Sequence, residues 1–189
     1  METLQMDDAI TLRDGRIVNI RHSRQGDAER VHAYICALGR STDMILTCEG
    51  DFPSIERVQS HIDLIADGRF YSLVAIEPDT NRVVGNASFR FAERKKLAHV
   101  ADLGMGVLES HQRTGLGTLL LNQAIKDMRG HADIQRLELT VLCSNTHARM
   151  VYKRAGFVEE GVKLRSLRQP DGRYEDEIIM GMWIGDAVT

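Results

Sequence analysis

The sequence predicts an α/β protein of one domain, built on a single mixed but mostly antiparallel sheet with helices on both faces. Three observations predict this class. Short apolar or alternating segments follow one another in pairs, which is typical of antiparallel hairpins. Segments with apolar residues at helical spacing interrupt them. One such helix lies between two strands near the middle of the chain, which predicts one parallel strand pair with a right-handed crossover.

The chain begins with a predicted hairpin. Two short alternating runs flank Asp14 and Gly15, a dipeptide that is typical of tight turns. Residues 1–14 are expected to be an N-terminal extension or the first strand of this hairpin. Residues 15–185 are expected to form the folded domain, since no proline-rich or low-complexity linker divides them.

The same periodicities predict the remaining elements. Gly39 is expected to end the first helix, and Pro53 to occupy the first position of the second. A turn at 170–172 is expected to join the last two strands. The predicted helices cover 25–38, 53–65, 115–128 and 146–155, and the predicted strands cover 70–76, 82–91, 97–108, 135–142, 157–167 and 173–184.

Composition excludes several classes of function. The chain has 24 basic and 27 acidic residues, a net charge of −3, so no overall basic field favours binding to nucleic acid or to an anionic membrane. Cys36, Cys48 and Cys143 are odd in number and form no CxxC pair, which argues against a disulfide framework or a metal site. With no signal peptide and no long apolar run, a cytoplasmic location is expected.

A glycine-containing segment between a strand and a helix predicts an anion site. Gly115 and Gly117 allow a tight turn and a close backbone approach, and the following helix presents its positive end. Thr118 and Leu120 replace the residues that a P-loop and a dinucleotide fingerprint need. By itself the segment is equally compatible with a turn and helix start without a ligand. Its residues are Gln112, Arg113, Thr114, Gly115, Leu116 and Gly117.

A second motif decides between these interpretations. Asn145, Ala148, Tyr152 and then Gly156–Phe157 follow downstream, with a helix and a strand between the two motifs. Together the motifs resemble the two signatures of the GNAT N-acetyltransferase superfamily, in the family's order. The resemblance covers roughly residues 15–185 and implies the acyl-CoA N-acyltransferase fold, with acetyl-CoA as co-substrate. Segments 99–104, 138–141 and 172–176 further resemble a bacterial subgroup that includes an L-amino-acid N-acetyltransferase.

The resemblance implies where acetyl-CoA binds. In this fold two parallel strands splay apart, and the pantetheine arm lies in the gap, where Met105, Gly106 and Val107 pair with it like an added strand. Gly104 and Gly106 are expected to form a bulge, and a backbone amide of this segment is expected to bind the oxyanion. An ordinary strand with a glycine kink is the alternative.

The same resemblance assigns chemical roles. Tyr152 is the expected acid for the leaving sulfur, because a phenol is protonated at neutral pH, and Asn145 is expected to face the cofactor with it. A core tyrosine is the alternative. Asp102 is the first candidate for the base, with Glu138 or a water relay as alternatives. Cys143 is expected to be a buried free thiol and not an acyl carrier.

The resemblance implies that acetyl-CoA donates its acetyl group to a primary amine of an amino acid, a protein or a small molecule. The loop around 40–52 and the last hairpin are expected to bound its site. A homodimer is expected to be possible, and a non-catalytic acyl-CoA-binding or protein-interaction module is the alternative function. Loop acids could attract the amine and hairpin arginines could hold a carboxylate: Asp43, Glu49, Asp51, Arg165, Arg168 and Arg173.

Overall fold

The computed structural model describes residues 9–186, so residues 1–8 of the predicted N-terminal extension lie outside the described residues. The strands are β1 (Ala9–Thr11), β2 (Ile17–His22), β3 (Phe70–Glu77), β4 (Arg82–Phe91), β5 (Val100–Val107), β6 (Arg136–Leu142), β7 (Val158–Arg168) and β8 (Tyr174–Trp183). The helices are α1 (Ala28–Ser41), α2 (Ile55–Ala66), α3 (Leu116–Arg129) and α4 (Thr146–Ala155).

All strands join one sheet in the order β1-β2-β3-β4-β5-β6-β8-β7. Every neighbouring pair is antiparallel except β5 and β6, which are parallel and are connected through α3. The predicted mixed, mostly antiparallel sheet with one parallel pair is therefore confirmed.

The parallel pair splays apart. Only Val100–Asp102 of β5 pairs with β6, opposite Arg136–Glu138. Beyond these residues β5 continues to Val107 and β6 to Leu142 without pairing with each other, although each keeps its partner on the other side. The sheet thus contains a V-shaped gap, as the resemblance implied, with its closed end at Asp102 and Glu138.

Helices cover both faces of the sheet. A side-chain carbon added at Gly85 in β4 would overlap Leu120 of α3, whereas one added at Gly106 in β5 would overlap Leu38 of α1. Gly85 pairs with Val107, the neighbour of Gly106, so the two glycines present opposite faces of the sheet. One face therefore carries α1 and the other carries α3.

Two helix boundaries differ from the prediction. The first helix continues through Gly39, which is required there because a side-chain carbon would lie 2.6 Å from the Phe52 ring and 2.9 Å from the carbonyl of Thr47. Glycine at this position serves close packing of the following loop, not helix termination. The second helix begins after Ser54, whose side chain caps it, so Pro53 precedes the cap and is not the first helical residue.

The strand predicted over 97–108 also differs. Lys95–Leu97 form a 3-10 turn, in which the Leu97 amide donates back to the carbonyl of Arg94 at 2.8 Å, and pairing starts only at Val100. The bulge expected at Gly104 and Gly106 is absent, because β4 and β5 keep one continuous register. The register shifts instead between β3 and β4.

Two further features of residues 9–186 bear on function. No helix in this range is long and apolar enough to cross a bilayer. In the same range, no cluster of three or more His, Cys, Asp or Glu side chains could hold a metal ion.

Candidate active site

Backbone groups of β5 line the gap. The amide of Leu108 donates to the carbonyl of Val84 in β4 at 2.9 Å. Because successive amides along a strand point in opposite directions, the amides and carbonyls of Met105 and Val107 point away from β4, into the gap. The amide and the carbonyl of Gly106 point toward β4 instead. Of the three residues predicted to pair with an added strand, two present their backbone to the gap, while Gly106 allows α1 to pack closely.

The start of α3 lies beside these residues. A side-chain carbon at Gly117 would lie 3.7 Å from Met105 and 3.7 Å from Val107. The Gln112 side chain donates to the carbonyl of Val107 at 3.2 Å. The predicted anion site and the gap are therefore continuous, on the α3 face of the sheet.

The predicted anion site has free backbone donors. Arg113 and Gly115 adopt left-handed conformations, with φ of 62° and 92°, which turn the chain into the helix. Within the described part of the chain, the amides of Arg113, Gly115, Gly117 and Thr118 have no hydrogen-bond partner. The first turn of α3 contains no acidic residue. These amides and the helix dipole together favour a bound anion such as a pyrophosphate.

Two other residues of the segment shape the backbone. Thr114 is buried, and its hydroxyl donates to the carbonyl of His111 at 2.7 Å. The carbonyl of Thr114 accepts from the amide of Arg13 at 3.2 Å, which ties the segment to the first hairpin. Leu116 is fully buried, and its amide lies 3.4 Å from the Thr114 hydroxyl. Both residues therefore hold the segment in place from inside the protein.

Tyr152 lies in α4 with 8% of its surface exposed, and its ring packs edge-on against Phe157 at 5.9 Å between centroids. Its hydroxyl has no hydrogen-bond partner among residues 9–186, and it is not fully enclosed by protein. Burial raises the pKa of Tyr152 to about 12, so the phenol stays protonated well above neutral pH. These properties suit a proton donor.

Asn145 is the N-cap of α4. Its side-chain oxygen accepts from the amide of Ala148 at 3.1 Å, a stabilising contact that the sequence motif itself accounts for. Asn145 therefore lies at the start of α4, seven residues before Tyr152. Its side-chain NH2 group is still available, and contact with a cofactor remains a prediction for that group.

The two candidate bases lie side by side. Asp102 and Glu138 form the last pair before β5 and β6 separate. Burial raises the pKa of Asp102, Arg90 and Lys163 oppose this increase, and the Glu138 carboxylate adds to it. Glu138 itself lies 3.4 Å from the guanidinium of Arg136. The sequence-predicted acids thus share the closed end of the gap.

The position of Asp102 favours an indirect role. Its side chain lies on the α1 face, because it is an even number of residues from Gly106. Met105 lies three residues farther along β5, about 10 Å at the usual rise per residue. A base at Asp102 would therefore reach an amine near Met105 only through water.

The loop between α1 and α2 reaches across the gap. The carbonyl of Asp43 accepts from the Gln169 side chain at 3.4 Å, and Met44 Sδ lies 3.7 Å from Ser144 Oγ. The loop therefore meets both the last hairpin and the end of β6. The two segments that were predicted to bound the acceptor site are brought together over one end of the gap.

Three of the six charged side chains proposed for the acceptor already have partners. Glu49 lies 4.0 Å from Arg40, and Asp51 accepts from the Cys48 thiol. Arg173 is bound to Asp171, which raises the pKa of the guanidinium. In the described residues, Arg165 and Arg168 form no ion pair, so they alone of the three arginines keep a free guanidinium.

Cys143 is a free thiol that is partly buried. Its carbonyl accepts from Arg149 at 3.1 Å and its amide donates to the carbonyl of Asp176 at 2.9 Å. No hydrogen bond joins its sulfur to His147 in the described part of the chain. An acyl-cysteine route therefore lacks its activating group.

Two buried polar side chains on the α1 face were missed from the sequence. Tyr34 packs over Gly106, and Glu177 lies in β8. Tyr34 looks like an ordinary core residue of an amphipathic helix. Glu177 directly precedes the apolar run Ile178–Met180. An acidic residue next to an apolar run of a predicted strand was therefore the signal that could have identified it.

Several solved structures share this fold. An acetyltransferase of the GNAT family from Streptococcus pneumoniae superposes with a TM-score of 0.83 at 26% identity, covering 88% of this chain and 99% of that one. The structure of yncA from Salmonella typhimurium, with acetyl-CoA as its cofactor, has a TM-score of 0.79 at 17% identity, covering 91% and 96%. The second likeness shows the fold alone.

Sequence relatives match over about half of the chain. L-amino acid N-acetyltransferase AaaT of Escherichia coli is 34% identical over 52% of this chain and 60% of its own length. An N-alpha-acetyltransferase of Sulfurisphaera tokodaii is 36% identical over 45% of this chain and 47% of its own. A model of the acetyltransferase (GNAT) family matches residues 42–157. With the splayed sheet and the anion site in place, that match shows that the chain belongs to the acetyltransferase (GNAT) family, whose co-substrate is acetyl-CoA.

Proposed function

We propose that this protein is an N-acetyltransferase that moves an acetyl group from acetyl-CoA to a primary amine by direct attack in a ternary complex. The observation that carries the proposal is the continuity of the gap with the anion site. Free amides at Arg113, Gly115, Gly117 and Thr118 end a cleft lined by the backbone of β5. A ligand with a pyrophosphate joined to an extended amide-containing arm fits both parts.

Acetyl-CoA supplies an acetyl group activated as a thioester. The amide of Met105 faces the gap and would donate to the carbonyl oxygen as negative charge develops there. Tyr152 would donate its proton to the departing sulfur, since its pKa of about 12 keeps it protonated. Asp102, through a water molecule, would take the proton that the amine loses. Glu138 beside it is the alternative base.

The acceptor is the less defined part of the proposal. The relatives named above act on L-amino acids and on an N-alpha position, so a free amino acid and a protein N-terminus are the first two candidates. Arg165 and Arg168 could hold the carboxylate of an amino acid. We also keep a cytoplasmic location and a homodimer as predictions.

A substrate panel tests the function. Wild-type protein is incubated with acetyl-CoA and with amino acids, amino-acid amides, N-terminal peptides and diamines, and free CoA thiol is measured over time. We expect turnover with at least one class, and acetyl-CoA binding by calorimetry. Tight binding without turnover on any amine would instead support the non-catalytic module.

A further inference from the structure

Glu177 is a buried carboxylate without a partner. Its residue is 7% exposed, and among residues 9–186 it makes no hydrogen bond or ion pair. Its oxygens are not enclosed, because the buried side-chain atoms without a partner belong to Tyr34, His111 and His131. The carboxylate head therefore reaches open space while the rest of the side chain is covered. The carboxylate is therefore accessible and has no partner within the described residues, so it is free to accept from a bound cation or donor.

The sheet register places Glu177 on the acceptor side of the gap. Gly181 of β8 pairs with Glu138 of β6, and Glu177 lies four residues from Gly181, so both present the same face. Glu138 pairs with Asp102, whose side chain lies on the α1 face. Glu177 thus points to the face opposite α3, where the anion site does not lie.

The same register places Glu177 level with the donor amide. Gly106 lies four residues beyond Asp102, and Leu142 lies four residues beyond Glu138. Leu142 pairs with Glu177. Along the strands, Glu177 is therefore level with Gly106, one strand beyond β6, which borders the gap. Asp102 and Glu138 lie at the closed end of the gap.

The loop between α1 and α2 encloses this position. Glu175 is two residues from Glu177 on the same face of β8, and it accepts from the Ser144 hydroxyl at 2.9 Å. Ser144 in turn contacts Met44 of the loop. The carboxylate of Glu177 is thus next to the roof of the predicted acceptor site, where a bound acceptor would meet it.

We propose, building on the acetyltransferase function proposed above, that Glu177 binds the ammonium group of the acceptor and that the enzyme selects amines which are cationic at neutral pH. The carboxylate would accept hydrogen bonds from the ammonium and hold it beside the thioester until a proton is lost. A water molecule next to Asp102 takes this proton. The free amine then attacks the thioester carbon, which forms the C–N bond and breaks the C–S bond. The second proton lost by the nitrogen also passes to water, and Tyr152 donates its proton to the departing CoA sulfur.

A cross-strand role is the structural alternative. Lys163 of β7 pairs with Glu177 in the register, although no ion pair joins their side chains in the described structure. If Glu177 served only to balance Lys163, removal of either charge would have the same consequence. Glu160 offers a matched control, since it lies on the same face beside Gly181 and is paired with Arg136.

The test compares Glu177→Gln with Glu160→Gln and Lys163→Met. With the best cationic amine of the substrate panel, we expect Glu177→Gln to raise the amine KM at least ten-fold and to leave the acetyl-CoA KM within two-fold. The two controls should change neither constant by more than two-fold.

An alkoxyamine, which is neutral at pH 7, should show the same KM with wild type and Glu177→Gln. Glu177→Asp, which keeps the charge, serves if Glu177→Gln does not fold, with a smaller increase.

Two results would overturn the proposal: an unchanged KM for the cationic amine, or an equal increase with Lys163→Met. Absence of turnover by the wild type on every amine would count against the acetyltransferase function instead. In that case calorimetry of the cationic amine with the CoA-bound protein decides the role of Glu177. At least ten-fold weaker binding by Glu177→Gln supports it, and equal binding rejects it.

Discussion

The two sides of the gap are built in different ways. The donor side uses backbone amides of one continuous segment, Gln112 to Thr118, together with the end of one helix. The proposed acceptor side would use side chains from β5, β6 and β8, next to the loop between α1 and α2. A local motif can therefore specify the donor, whereas the acceptor depends on how distant segments meet. We expect substitutions on the donor side to change mainly the binding of acetyl-CoA, and substitutions on the acceptor side to change mainly the KM of the amine.

The largest effect is expected at Tyr152. Tyr152→Phe should lower kcat about 100-fold, because the sulfur leaves without its proton donor. The KM of acetyl-CoA should change little, and so should thermal stability, since the hydroxyl has no partner among residues 9–186. Steady-state kinetics and a melting curve measure both.

Because the pKa of Tyr152 is about 12, kcat in the wild type should not fall between pH 8 and about 10 through loss of this proton. An unchanged kcat in the variant would remove Tyr152 from the acid role.

The second prediction isolates the donor side. Thr118→Glu places a carboxylate in the first turn of α3, where it should stabilise the free protein by about 0.3–1 kcal/mol through the helix dipole. The same charge should repel the pyrophosphate and weaken acetyl-CoA binding by about 2 kcal/mol, roughly 30-fold. Calorimetry and melting curves measure the two opposite effects.

Thr118→Gln is the control, because it has the same shape without the charge. It should bind acetyl-CoA within about three-fold of the wild type. If Thr118→Glu bound as tightly as Thr118→Gln, the pyrophosphate would not lie at this helix end, and the donor side would need another location.

The smallest effect is expected at the closed end of the gap. Asp102→Asn should lower kcat at neutral pH about ten-fold, since a water relay loses its terminal base. Glu138→Gln is the comparison, and the larger loss identifies the base. If kcat were unchanged in Asp102→Asn at every pH, Asp102 would have no part in proton removal.

Asp102→Asn should also change stability with a defined sign. The pKa of Asp102 is raised in the folded protein, so the folded state disfavours its charged form and loses stability as pH rises through that pKa. Asn carries no charge. The variant should therefore melt above the wild type at pH 7 and at nearly the same temperature near pH 3, where the carboxyl is protonated in both states. Melting curves at the two pH values measure this difference.

Local signals predicted most of the fold. Apolar periodicity identified every helix and each strand of the main sheet, and the order of elements predicted the single parallel pair. Some errors were local, such as the Ser54 cap after Pro53 and the 3-10 turn at Lys95–Leu97. Others arose where a distant segment decides the local geometry. A glycine after a helical pattern is typical of a helix end, but at Gly39 the reason for glycine is different. The following loop packs so closely against it that a side chain would not fit. Gly106 similarly serves the close approach of α1 and not a bulge.

The sequence by itself predicted the anion site proposed for the donor, because free amides at a helix start require only a short segment with left-handed residues at Arg113 and Gly115. It also supplied Tyr152 and Asp102 as candidates. Only the tertiary structure decided which groups face the acceptor. Strand register sets the face and the level of each side chain. It made Glu177 level with Gly106, two strands away, although they are 71 positions apart in the sequence (177 minus 106). No local pattern encodes that register, because pairing between distant strands depends on how the whole sheet assembles.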